Sequence, residues 1–217
     1  MNQINKYFLK LNPSIQKPKT MKSPIIAVLL LWFTHSVAIA QNDKAYLLDY
    51  YTTTENNLQE NIAGLSEAQL QYKPTPESWS ISQCLEHIVL TEKMIFDMIA
   101  ANLDKPVNEA LGDPVNTDEQ IMAMIVDRGS KHKAPEALMP DGKYTSPGAA
   151  MEDLKAGRAE ILALLNVTPD ASLRSYVSES PAGVVDAYQN FLFLAGHTAR
   201  HTLQIEEVKA DPGFQKL

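Results

Sequence analysis

The sequence predicts an all-α protein, a four-helix bundle with a long crossover connection, preceded by a secretory leader. Three observations carry this. After residue 40, four long segments show apolar residues recurring at helical spacing. Stretches rich in Pro and Gly separate them. No segment alternates with period two clearly enough to be a strand, and no internal repeat is present. A chain of 217 residues, 45% of them hydrophobic, can bury one ordinary globular core.

The leader comes first. From Met21 the chain reads "MKSPIIAVLLLWFTHSVAIAQ", with Lys22 as a short positive region, an apolar run from Ile25 to Phe33, and Ala38-Ile39-Ala40 as a small-x-small cleavage site before Gln41. Residues 1–40 are therefore expected to be a signal peptide, with Met1 or Met21 as its start, and residues 41–217 a single domain exported to the periplasm or beyond. No Cys follows the cleavage site to take a lipid, and nothing after residue 40 is long and apolar enough to span a bilayer, so no stable membrane insertion is expected after cleavage. Five of the 19 basic residues and none of the 26 acidic ones lie in the leader, which leaves 14 against 26, a net charge of −12. That balance opposes binding to nucleic-acid backbones. The single cysteine, Cys84, excludes an intramolecular disulfide.

The elements follow in order. Asp43 to Ile62 is a first helix, with Tyr46, Leu47, Tyr50, Tyr51, Thr54 and Leu58 near helical spacing, ended by Gly64. "LSEAQLQYKPTPESW" crosses over, with Pro74 and Pro76 as breakers. Ser80 with Gln83 is a capping-box start for a second helix running to Leu103. Asp118 to Asp127 is a short helix, and the segment 129–148, with three Pro and three Gly, is irregular; both belong to the region 103–148 that makes the crossover. Ala149 to Leu165 is the third long helix, and Val184 to Ala210 the last. The expected core includes Leu85, Ile88, Ile95, Leu154, Ile161, Leu165, Phe193, Leu194 and Ile205.

The last helix holds "LFLAGHTARHTLQIEE". At about 100° per residue, His197 and His201 lie about 40° apart and one turn apart, on a strip shared with Asp186, Asn190, Phe193, Gln204 and Val208. Two imidazoles at i and i+4 can converge on one metal ion; two histidines on a helix also arise by chance, and the position after His197 is Thr198 rather than the Glu of a zincin. His87, at the edge of the second helix's apolar arc and beside Thr91, is the candidate third ligand, since an ionisable ring there needs a partner. His35 leaves with the leader, and His132 sits in a polar, Pro-bounded segment.

At these residues the chain resembles the DinB/YfiT-like superfamily. "ESWSISQCLEHIV" and "LAGHTARHTLQIEEV" are similar to its two signature segments, a Trp-Ser opening the second helix with a His one to two turns later, and an H-x-x-x-H on the last helix. The likeness spans roughly residues 43–212. It implies a bundle with a long crossover and a divalent metal on the histidines matching His87, His197 and His201. Some relatives are metal-dependent transferases or isomerases using small thiols in the cytoplasm, and others are hydrolases; the expected export departs from the thiol-using members.

The reading that results is an exported protein binding zinc, nickel or iron through His87, His197 and His201, acting as a hydrolase or transferase on a small molecule. The alternative is a non-catalytic metal-binding or stress-response module. A homodimer is left open, as is the catalytic residue. Cys84 reads as a fourth ligand, a reactive thiol or, by its setting, a small apolar core residue. Asn190 and Gln204 read as ligand-orienting or cross-bundle groups. Trp79 reads as packing at the helix entry, while Glu86 and Arg200 point away from the histidines beside them. Since ligating imidazoles must be neutral, acid should release the metal near pH ~6.5 or below.

Overall fold

A computed structural model describes residues 43–130 and 132–217. The expected leader, its cleavage site and His35 lie outside the described residues.

Four long helices build the bundle: α1 (Asp43–Ile62), α3 (Ile81–Leu103), α5 (Pro147–Val167) and α7 (Ala187–Lys209). Three short ones, α2 (Glu67–Gln71), α4 (Asp118–Val126) and α6 (Asp170–Ser175), decorate the connections. Helix α7 is the centre, packing on α1, α3 and α4, while α5 packs on α3 and α1. The expected inward strip understates this burial: Thr198, Arg200 and Thr202, which are not on it, are buried with the histidines.

The four expected long helices form within three residues of their predicted bounds. Ser80 caps α3 with Gln83 in the reciprocal box. The same Ser-x-x-Gln signal at Ser66 and Gln69 starts α2 inside the stretch read as plain crossover. The absence of strands is corrected by a hairpin, β1 (Val177–Ser180) and β2 (Gly183–Asp186), paired antiparallel from Val177 opposite Asp186 to Ser180 opposite Gly183. Four residues per strand are too few to register as alternation, and the turn, Pro181-Ala182, lacks an Asn-Gly signature. Gly183 takes up the positive φ of 93° that follows this turn. The hairpin also delays α7. Residues 184–186 pair with β1, so the helix begins at Ala187 behind the Asp186 cap.

The apolar core has two clusters. Leu58, Ile62, Leu85, Ile88, Leu154 and Ile205 belong to one, and Leu47, Ile99, Ile161, Leu165, Phe191 and Leu194 to the other. Of the expected core, Ile95 and Phe193 are only half-buried. Between the clusters sits a polar layer that the sequence reading did not foresee. Arg158 on α5 donates to Glu92 on α3 through Nε and Nη2 (2.8 Å for the shortest contact), to the Tyr51 carbonyl and the Thr54 hydroxyl on α1, and to the Thr198 hydroxyl on α7. Thr198 in turn donates to Glu92 at 2.7 Å. One guanidinium ties all four long helices.

Candidate metal centre

The capping box at Ser80 launches α3 so that its first two turns face the crossover. There Ser82, Gln83, Glu86 and His87 are joined to segment 138–144. Ser82 Oγ donates to the Tyr144 carbonyl and accepts its N–H, Gln83 Nε2 donates to the Pro140 carbonyl, and Glu86 accepts the N–H groups of Gly142 (2.6 Å) and Lys143. Gly142 is required at this strap, having φ of 88°. The strap ends at the Leu138 carbonyl, 2.8 Å from His87 Nδ1. A carbonyl only accepts, so Nδ1 carries the proton and Nε2 of a neutral His87 is free.

On α7, His197 and His201 converge on that ring. Ring centroids are 4.4 Å apart for His197–His201, 4.8 Å for His87–His201 and 5.0 Å for His87–His197. One nitrogen from each lies within 4.8 Å of the others. The spacing and inward placement read from the sequence therefore bring all three together, 5%, 8% and 5% exposed for His87, His197 and His201. Trp79 lies against His87 (4.8 Å) and His201 (6.0 Å), and Phe193 stacks on His197. Trp79 is thus a wall of the site rather than packing at the helix entry alone.

Burial sets the protonation. Desolvation lowers the His87 pKa, and lowers His197 well below its ordinary value with help from the neighbouring imidazoles. His201 falls to about 3, again mainly by desolvation and then by His87. All three rings are neutral at pH 7, the form that can ligate. His201 Nδ1 faces Gln204 Oε1 at 2.9 Å, and that oxygen also takes a bond from Arg128 Nη1 at 3.4 Å, so it is an acceptor and the His201 proton sits on Nδ1. Its Nε2 is 3.1 Å from His197 Nε2. Two nitrogens of a tetrahedral ion with bonds of 2.0–2.1 Å stand about 3.3 Å apart, so the donor set fits a small divalent cation.

The crossover also holds α7. Arg200 reaches across α4 to the carbonyls of Ile125, Asp127 and Ser130. Arg128 pairs with Glu207 at 2.7 Å and touches Gln204, linking this loop through Gln204 to His201. Helix α4 comes this close because residue 196 has no side chain. A Cβ there would meet Ile125 Cγ2 at 2.5 Å. Gly196→Ala should therefore push α4 off α7 and lower the melting temperature, with Ile125→Ala on the same chain recovering part of the loss. A thermal melt of the three variants checks this, and an unchanged Gly196→Ala would contradict it.

The remaining candidates separate cleanly. Cys84 is fully buried in the apolar core with its thiol pushed up to about 12 by desolvation, and it is not among the clustered donors. Gln204 contacts a histidine; Asn190 instead donates to Ser178 of the hairpin at 3.0 Å. Glu86 and Arg200 point away from their histidines, as expected, and His132 is exposed. Sequence reasoning missed Arg128 and the Leu138 carbonyl, both in the crossover, where no periodicity announces a partner.

An all-helical bundle with three neutral imidazoles from two facing helices defines a class with a recognisable site. Residues 50–205 match the family model of the DinB superfamily, and the chain belongs to that superfamily. YuaE of Bacillus subtilis (strain 168), an uncharacterized protein, is 25% identical over 152 residues, covering 68% of this chain and 88% of the relative. The fold is also that of YfiT from Bacillus subtilis, described as a probable metal-dependent hydrolase with an unusual four-helix bundle topology. That structure superposes with a TM-score of 0.57 at 14% identity, over 82% of this chain and 91% of YfiT.

Proposed function

We propose that His87, His197 and His201 hold one divalent cation, and that the protein is an exported metal-dependent hydrolase or transferase for a small molecule. The observation that carries this is the make-up of the cluster. Among the described residues it contains three histidines and no fourth Cys, Asp or Glu. Glu86 is committed to the strap, Glu92 to Arg158, and Cys84 to the core. Three protein ligands leave a coordination position for a reactant, whereas structural sites are closed by four. A cation there would act as a Lewis acid, which suits a site with no carboxylate placed as a base. The description of YfiT points the same way.

A non-catalytic metal-binding module is the second reading, favoured by the near-complete burial of all three rings. Hydrolysis of a panel of amide and ester probes by the metal-loaded protein distinguishes the two. The hydrolase reading expects turnover that is abolished by a chelator and restored by one cation. Binding without turnover or group transfer supports the module.

Acid should act later than the free-imidazole value suggests. Because the folded-state pKa values are depressed, the unfolded chain binds more protons below pH ~6.5, and the stability present above that value is lost as pH falls toward the folded-state pKa, about 3 for His201. The slope is about 1.4 kcal/mol per pH unit for each ring that stays neutral. Denaturant unfolding of the metal-free protein at pH 7.5 and 5.0 should show the loss, and bound metal should persist through pH 6. Complete release at pH 6.5 would contradict it.

Export is part of the proposal, supported by the leader-like residues 21–40. Intact-mass analysis from the native host should give a chain beginning at Gln41, unmodified or as pyroglutamate. A mass retaining residues 21–40 would overturn it.

A further inference from the structure

Among the described residues, two buried side-chain atoms make no hydrogen bond, Thr91 Oγ1 and His197 Nδ1. Thr91 is buried on α3 and His197 on α7. The helices run antiparallel, His87 level with His201 and Glu92 level with Thr198, which puts Thr91 level with His197. Thr91 is 3% exposed, so water does not satisfy it from outside. A buried helical threonine ordinarily bonds a carbonyl one turn back, as Thr202 does to Thr198 and Thr54 to Tyr51. The other buried helical threonine, Thr198, is bound to Glu92 and Arg158. Thr91 alone among them is left unpaired.

The histidine tautomers set what each ring has left to offer. The His201 proton is on Nδ1, facing Gln204, so the 3.1 Å contact between the two Nε2 atoms requires the His197 proton on Nε2, leaving Nδ1 bare. His197 would hold a cation on the cluster through its Nε2 lone pair. The ring would stay neutral, its proton moved from Nε2 to Nδ1, and that Nδ1–H would then need an acceptor. His87 and His201 already have theirs in Leu138 and Gln204. We infer that Thr91 is the positioning residue for His197, its hydroxyl accepting the Nδ1–H, directly or through one buried water, when the site is loaded. This rests on the metal reading above and adds the outer partner that the third histidine lacks.

Zinc affinity by chelator competition, together with long-range 1H–15N spectra of histidine-labelled protein, tests it in the parent, Thr91→Val and Thr91→Ser. Valine should weaken zinc binding about tenfold or more, with the slowly exchanging His197 Nδ1–H signal lost, and serine should restore both. Because the hydroxyl is unpaired in the metal-free protein, valine should leave the metal-free melting temperature unchanged or raise it; should valine fold poorly, Thr91→Ala serves in its place. Parent-like zinc affinity and a protected Nδ1–H in the valine variant would overturn the role of Thr91 while leaving the metal site intact. A parent that binds no zinc or other divalent ion would instead overturn the metal reading, and this inference with it.

Discussion

Alanine at His87, His197 or His201 is expected to abolish stoichiometric divalent metal in protein purified without chelators. Each loss should exceed the roughly 10–100-fold that removal of an outer-shell partner costs. The three substitutions should be equivalent for metal but not for folding. His197 and His201 lie on the central helix, stacked with Phe193 and Trp79, so their truncation also opens space in packed surroundings. His87 donates its Nδ1–H to the Leu138 carbonyl of the strap, and its loss should loosen segment 138–144 first. Gln204→Ala should fall between these variants and the parent, weakening metal by freeing the His201 ring and leaving Arg128 with Glu207 alone. Elemental analysis of the purified variants checks the series. Full occupancy in His87→Ala alone would mean that the helical pair has another third ligand.

The second large effect lies a turn away, in the polar layer. Arg158 is 1% exposed and Glu92 3%, and the pair is closed by the Thr54 and Thr198 hydroxyls and the Tyr51 carbonyl. Removing one partner of such a pair leaves the other charge buried without compensation, at about 3–5 kcal/mol. Arg158→Met should therefore be strongly destabilising, and so should Glu92→Leu. The double substitution should cost much less than the sum, because no orphan charge remains. Denaturant unfolding of the four proteins reads this as a coupling energy, and additive losses would show that the pair does not act as a unit. The layer also bears on the metal centre. Thr198 follows His197, so the ion pair fixes the rotation of α7 that aims His197 and His201 at α3.

The bundle was legible because its signals are local. Helical spacing, the Ser80 box and the Pro and Gly breakers each act within a turn or two, and the long helices appear where they predict. The histidine cluster was legible for the same reason on α7, where i and i+4 suffice, and needed the edge of an apolar arc to bring in His87. What stayed hidden is non-local. Arg158 and Glu92 are 66 residues apart, and each alone reads as a solvated charge. The strap's hold on His87 spans 51 residues and uses a main-chain carbonyl, which no side-chain pattern can announce. The hairpin was missed because four-residue strands carry too little alternation, although Val177, Val184 and Val185 are suitable strand residues.

Anomalous diffraction from metal-replete crystals, collected on both sides of the absorption edge of the bound element, tests the central claim most directly. The account predicts one peak among His87, His197 and His201, about 2.0–2.1 Å from a nitrogen of each for zinc, with no fourth protein ligand. A peak elsewhere, or a cluster that stays free of metal in the presence of zinc, nickel and ferrous iron, would contradict it.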